Sequence, residues 1–246
     1  MSCASRLIFC FILALTSPLQ ADLVLEGKAA FAKGEYPAAA DAFRSALSTN
    51  GPSAGLYYNL AMVEQKSGHR AEAALSLRRA LTLDPRMIDA RIALSDIERS
   101  QGVPLTPSSW REIVAEHAPI KTLLIVGSAC AWLGAFLLLF AIFARSGRML
   151  PLAGAVGLLV LGVGIFLLGY LADPRVSERN VAVVRDAEGI PLLSAPANQS
   201  ATVTRLPAAS SVRILQERGE WTFCSVASGE KGWAPSKSLE AVVPAA

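Results

Sequence analysis

The sequence contains few of the residues that usually carry catalysis or metal binding. Its 246 residues include only two histidines, His69 and His117, and four cysteines, and none of these is paired at the spacing of metal ligands. Zinc sites need clustered thiolate or imidazole ligands, and a disulfide framework needs regularly spaced cysteines. Nucleophile-elbow, metalloprotease and phosphate-loop motifs are also absent. We therefore expect a protein that is not an enzyme and that holds no metal and no cofactor.

Charged residues are equally scarce. They make up 17% of the chain, with a net charge of +3 and no block of lysines or arginines that could follow a nucleic-acid backbone. Nucleic acid is therefore not an expected partner. Hydrophobic residues, by contrast, reach 52% and the mean hydropathy is +0.41. This excess is localised in a few segments, which indicates a membrane protein.

The first apolar segment, residues 1–21, has the features of a secretory signal peptide. Arg6 supplies the positive N-terminal region, residues 7–16 form a short apolar run, and Ala21 ends a cleavable exit. The run is too short to cross a bilayer comfortably. We expect the mature chain to begin near Asp22, outside the cytoplasm, with an uncleaved anchor as the alternative.

Residues 22–102 are rich in alanine and leucine and repeat at an offset of 34 residues. At this offset Gly34 matches Gly68 and Phe43 matches Leu77, so that turn glycines and large residues coincide. This period and order are typical of tetratricopeptide (TPR) repeats, whose helix pairs stack into a solenoid. An ordinary helical bundle with coincidental spacing is the alternative. The predicted units are two repeats, 22–52 and 53–86, and a capping helix, 87–102.

Residues 103–119 are predicted to form a linker and a short amphipathic helix. Pro104 and Pro107 interrupt any continuation of the repeat. Ser109 and Glu112 then fit a capping box that opens a new helix with a mostly apolar face. We expect this face to lie in the lipid interface. Packing on the last repeat helix is the alternative.

Two long apolar runs follow, at 120–143 and 149–171. Lys121, at the edge of the first run, is the only charge in either, and each run exceeds the about 20 residues that cross a bilayer. Because only residues 144–148 join them, they predict an antiparallel transmembrane hairpin. Small residues suit close helix contact, within the hairpin or between protomers. The predicted contact sets Gly127, Ala131 and Gly134 against Gly154, Gly157 and Gly164.

Arg145 and Arg148 predict the orientation of this hairpin. Positive residues in short loops favour the cytoplasmic side. A cleaved signal peptide requires the same arrangement, because it places the preceding segment outside. Both flanking segments are therefore expected in the periplasm, with the two spans in the bacterial inner (cytoplasmic) membrane.

The C-terminal segment, 178–242, changes to short β-type runs separated by turn residues. Gly219-Glu220-Trp221 is followed by Gly232-Trp233-Ala234, a pattern that resembles the bacterial SH3 domain. The spacing of the runs predicts a small all-β barrel. The predicted fold is a multidomain membrane protein with an α-helical TPR solenoid, a two-helix transmembrane hairpin and a C-terminal all-β bacterial SH3-like barrel. Its predicted strands are 181–184, 201–206, 211–215, 221–226 and 232–234.

This order of modules resembles the BatE family, the TPR–SH3 membrane proteins of the bacterial aerotolerance (Bat) operon. The resemblance covers nearly the whole chain. It implies a role in envelope stress or aerotolerance, and partners among other Bat proteins, several of which carry von Willebrand factor A domains. It implies no catalytic site.

Two sets of candidate binding residues follow from the two modules. In a TPR array the first helix of each repeat lines a groove for a partner segment, although the same positions could be merely solvated or packed between repeats. In the SH3-like module an aromatic surface could bind a peptide or cell-wall material. Core packing is the alternative for these aromatic residues, and Cys224 beside them is expected to be a structural thiol. The candidates are Lys28, Tyr58, Met62 and Gln65 for the groove and Trp221, Phe223 and Trp233 for the SH3-like surface.

Two functions compete on this basis. The first is a scaffold whose repeats recruit other membrane or periplasmic proteins while the hairpin holds the complex in the lipid bilayer. The second is a peptidoglycan-binding membrane protein that acts through its SH3-like module.

Overall fold

The computed structural model describes residues 17–103, 110–143 and 149–243, which divide into two compact units. The first unit contains the chain up to residue 106 together with residues 180–246, and the second contains residues 107–179. Most of the predicted signal peptide, the capping residue Ser109 and the predicted loop 144–148 lie outside the described residues.

Five helices form the N-terminal part of the first unit. Gly34 and Gly68 adopt left-handed backbone conformations, with φ of 80° and 84°, and each follows the end of a helix. Left-handed glycines commonly end helices because they pay no Cβ penalty. The helices are α1 (Ser17–Lys33), α2 (Tyr36–Asn50), α3 (Ala54–Lys66), α4 (Arg70–Leu83) and α5 (Ile88–Ser100).

The helix starts reproduce the period of the sequence. α2 and α4 begin at Tyr36 and Arg70, and α3 and α5 begin at Ala54 and Ile88, so that each pair is separated by 34 residues. Each helix packs against the next one in sequence. The structure therefore confirms a helical segment, and its helix pairs recur at the predicted offset.

The alternation of small and large residues is explained by packing. Phe43 and Leu77, which the offset aligns, are 2% and 0% exposed. A Cβ at Gly27 would lie 2.8 Å from the Phe43 ring, so that only glycine lets α1 and α2 approach this closely. Buried alanines such as Ala39 and Ala73 serve the same purpose in the two helix pairs.

An antiparallel sheet of seven strands forms the C-terminal part of the same unit. In space the strands follow the order β3-β2-β6-β5-β4-β1-β7, and the sheet is open. The five predicted strands are present, and two further strands, β2 and β7, were not predicted. The strands are β1 (Val181–Val184), β2 (Ile190–Leu193), β3 (Thr202–Leu206), β4 (Ser211–Arg218), β5 (Trp221–Val226), β6 (Lys231–Pro235) and β7 (Leu239–Ala241).

The helices and the sheet share a buried interface. All four residues of β1 are buried, because Ala182 and Val184 face the core of the sheet while Val181 and Val183 pack with Leu75 of α4. Ala209, in the turn before β4, joins the buried cluster of α3, α4 and α5. The sheet therefore covers part of the helical segment, which supplies support that two and a half repeats would otherwise lack.

The second unit contains four helices, of which two are long and apolar enough to cross a membrane. They are α6 (Trp110–His117), α7 (Ile120–Phe143), α8 (Met149–Ala172) and α9 (Pro174–Ser177). In the apolar stretches of α7 and α8 only 11% and 17% of the residues are buried. A core helix of a soluble protein would be mostly buried, so this exposure fits two helices surrounded by lipid.

The predicted contact between the two spans is half wrong. Gly127 and Gly134 of α7 do lie in the contact, where an added Cβ would meet the backbone of α8 at 2.5 Å and 2.6 Å. Their partners are not the predicted glycines, however, because Gly154, Gly157 and Gly164 have nothing within 4 Å and face outwards. The small residues of α8 that face α7 are Ala155, Gly162 and Gly169.

Candidate partner-binding sites

An open groove lies between helices α3 and α5. Its volume is about 240 Å³. Two of its lining side chains, Tyr58 and Gln65, come from α3, and the other four come from α5. Both helices are the first members of their pairs, which is where the repeat register places a groove. The six lining residues of this α3–α5 groove are Tyr58, Gln65, Asp89, Ile92, Ala93 and Asp96.

The structure brings together two of the four predicted groove residues. Tyr58 and Gln65 line the groove, whereas Met62 packs partly buried against the core cluster between them. Lys28 is exposed on α1 and does not line the groove. Three of the lining residues on α5 could have been predicted, because the 34-residue offset places Ile92, Ala93 and Asp96 opposite Tyr58, Asn59 and Met62.

Helix α5 is anchored by its opposite face. Ala90, Leu94 and Ile97 are buried in the core cluster. Arg78 of α4 donates a 2.6 Å hydrogen bond to Glu98, and both side chains are less than 20% exposed. This anchoring fixes the face of α5 that carries the groove residues.

The groove has an apolar floor and an acidic rim. Ile92 is 56% exposed, although side chains of this type are usually buried. Asp89 and Asp96 lie seven residues apart on α5, which corresponds to about 10 Å along a helix. Asp96 forms a 3.0 Å ion pair with Arg99, but both partners are more than half exposed. None of the lining residues is cationic.

A cluster of aromatic side chains lies on one surface of the sheet. Phe223 and Trp233 are cross-strand neighbours on β5 and β6, with ring centroids 5.1 Å apart. Trp221, two residues before Phe223, projects to the same side and pairs with Pro235. All three aromatic side chains are partly exposed. We call Trp221, Phe223, Trp233 and Pro235 the aromatic face.

The aromatic face is not the core of the sheet. The residues that alternate with it, including Thr222, Cys224 and Ala234, are buried on the opposite side. The core cluster consists of aliphatic side chains with Cys224, and it contains neither tryptophan. Burial raises the pKa of the Cys224 thiol to about 11, so it stays protonated and unreactive.

Glu64 is a second buried ionisable group, and its role is structural. Its carboxylate accepts hydrogen bonds from Ser76 at 2.7 Å and from Arg44 at 3.3 Å, so that it joins α2, α3 and α4. Burial raises the pKa of Glu64, and these two partners only partly oppose the effect. The carboxylate lies inside the helix pairs, outside the groove lining.

The described residues contain no group of three or more His, Cys, Asp or Glu side chains that could hold a metal ion. Neither a protein-family model nor a curated protein matches this sequence. The groove and the aromatic face are therefore interpreted from their own geometry.

Proposed function

We propose that this protein is a membrane-anchored, non-enzymatic scaffold that binds a partner protein in the α3–α5 groove. The observation that carries the proposal is the exposure of Ile92 in a groove that α5 holds open. An isoleucine that stays more than half exposed in a concave site is typical of a surface that another protein covers. The two apolar helices of the second unit would keep the complex at the membrane.

The TPR assignment of the helical segment supports this proposal. Helix starts that recur after 34 residues, turn glycines at the same positions and a groove on the first helices agree with that architecture. We likewise propose that the seven-stranded sheet is an SH3-like module. The resemblance to the BatE family then makes membrane proteins with von Willebrand factor A domains the proposed partners, in an aerotolerance or envelope-stress complex.

We propose that both parts of the first unit face the periplasm and that the two spans lie in the inner membrane. The charges of Arg145 and Arg148 support this orientation, because positive residues favour the cytoplasmic side. A reporter enzyme inserted at Ser146 tests it. Activity of a cytoplasm-dependent reporter is expected, and activity of an export-dependent reporter would contradict the orientation.

The scaffold proposal is tested by co-purification. The tagged full-length protein is solubilised from its own membranes, and the proteins bound to it are identified by mass spectrometry. Ile92→Ser should reduce the recovery of specific partners, because it removes the apolar floor of the groove. Leu25→Ser, an equally exposed apolar position on α1, is the matched control and should leave recovery unchanged. Equal losses in both variants, or in neither, would contradict a role for the groove.

The aromatic face favours a second candidate function, binding of peptidoglycan. Half-exposed tryptophans on a sheet surface can stack against sugar rings or peptide side chains, which buried core residues cannot do. The test is co-sedimentation of the full-length protein with purified cell wall. Trp233→Leu should release the protein if the aromatic face is the site, provided that the thermal stability of the variant is unchanged. Retention of that variant on the wall would exclude the aromatic face.

A further inference from the structure

We infer that the partner segment of the α3–α5 groove is cationic, with an apolar side chain between two basic ones. This inference rests on the proposed function and specifies the chemistry of its ligand. It depends on three features of the groove: the two carboxylates on its rim, the apolar floor between them, and the ring of Tyr58 opposite.

The charges of the groove select the sign of the partner. Asp89 and Asp96 are both exposed, and no lining residue balances them. Asp89 forms no ion pair within the described part of the chain. Arg99 pairs with Asp96, but an ion pair exposed to this extent contributes at most about 1 kcal/mol, so a basic side chain of the partner can replace it. A lysine or arginine fits both rim positions, and an acidic side chain is repelled from both.

The floor of the groove selects the residue between the two charges. Ile92 lies between Asp89 and Asp96 on the same helix, and Ile88, one turn earlier, is 64% exposed. An apolar side chain of the partner would remove both Ile92 and itself from water, which is favourable. The Tyr58 ring across the groove adds a π-face on which a guanidinium group can stack. Arginine is therefore favoured over lysine.

The spacing of the carboxylates sets the spacing of the basic residues. A distance of about 10 Å corresponds to three residues of an extended chain at about 3.3 Å each. An extended segment with arginines at positions i and i+3 and a leucine or isoleucine between them meets all three features.

The probe is a fluorescent synthetic peptide in which two arginines three positions apart flank a leucine. Its acidic twin has glutamate in place of both arginines. Binding to the full-length protein in a non-ionic detergent is measured by fluorescence anisotropy at low and high salt. The arginine peptide should bind and the acidic twin should not, and added salt should weaken the complex because exposed charges are screened.

The double variant Asp89→Asn with Asp96→Asn tests the site. Loss of two exposed ion pairs should weaken binding about threefold to thirtyfold. Glu217→Gln with Glu220→Gln is the matched control, since it removes the same charge from exposed positions of the sheet and should change nothing. An unchanged affinity of the Asp89/Asp96 variant would overturn the inference.

The acidic twin and Ile92→Ser separate this inference from the proposed function. Equal binding of both peptides that is lost in Ile92→Ser would overturn the cationic assignment and leave the groove as the partner site. If neither peptide binds and Ile92→Ser also leaves partner recovery from membranes unchanged, both the inference and the proposed function are wrong.

Discussion

Removal of the Arg79 side chain should detach the last strand of the sheet from the helical segment. Arg79 of α4 donates hydrogen bonds to the carboxylate of Glu240 at 2.7 Å and to the carbonyl oxygens of Ala241 and Val242 at 3.1 Å and 3.2 Å. One side chain of a helix thus holds three consecutive residues at the C-terminal end of β7. Arg185 gives Glu240 a second ion pair at 2.9 Å and extends to Glu72 of α4 at 3.6 Å.

The size of the effect follows from the exposure of these groups. Hydrogen bonds to a charged group contribute about 1.5–3 kcal/mol each when buried. The Arg79 and Glu240 side chains are 21% and 33% exposed, and Arg185 remains beside Glu240, so we reduce the sum to about 2–3 kcal/mol for Arg79→Ala. At 1.4 kcal/mol per factor of ten, this raises the opening of β7 about 30- to 150-fold.

Hydrogen exchange followed by mass spectrometry measures this opening directly. Peptides that cover β7 and Val242 should exchange faster in Arg79→Ala, while peptides from β5 keep their protection. Arg79→Lys keeps the charge but loses the planar fork, so it should give an intermediate rate. Arg213→Ala, at an exposed position on β4, is the control. Unchanged protection of β7 in Arg79→Ala would refute the reasoning.

Two further predictions concern the interior of each unit. Because burial raises the pKa of Glu64 above its ordinary value of 4.5, its contribution to stability is fully present below that value and is lost as the pH rises through the folded pKa. The free energy of unfolding of the wild type should therefore rise relative to Glu64→Gln as the pH falls towards 4.5, and parallel pH profiles would contradict this. In the second unit, Gly162→Leu should lower the thermal stability in detergent, because its side chain would strike the α7 backbone at Ala131. Gly157→Leu, with open space around it, should not, and equal effects of the two changes would contradict the assigned contact.

The sequence was most informative where one pattern had a single physical cause. The 34-residue offset requires equivalent residues to occupy equivalent places in a stack of helix pairs, and the helix starts at Tyr36 and Arg70 follow it. The two apolar runs were equally clear, because few soluble proteins expose helices of that length and composition. The first and last residues of the predicted spans agree with α7 and α8 to within one residue.

The sequence was least informative where tertiary contacts decided the outcome. Strand β2 was missed because Pro191 lacks a backbone N–H, yet it lies before Leu193, the residue at which β6 pairs. Strand β7 has three residues and depends on β1 and Arg79 for its position. The partners of the glycines were wrong because α8 carries small residues on two faces, and a period alone does not say which face meets α7.

The groove shows the same division. Tyr58 and Gln65 followed from the register of the repeat, but the acidic rim was overlooked because the last helix was treated only as a cap. One signal in the sequence did announce the interface between helices and sheet. β1 reads Val-Ala-Val-Val without a polar residue at either alternate position, and a strand with two apolar faces needs a layer on each side.

That interface also restricts how the chain can cross a membrane. Arg79 and Glu240, which lie on opposite sides of α7 and α8 in the sequence, are joined by a 2.7 Å ion pair. Residues in direct contact cannot lie on opposite sides of a bilayer, so the chain between them must cross an even number of times. Either both apolar helices cross or neither does, and a single span is excluded while the first unit is intact. If neither crossed, side chains such as Trp132 and Phe140, which are 67% and 72% exposed, would face water. Two crossings avoid this cost, because lipid then covers the exposed faces of both helices.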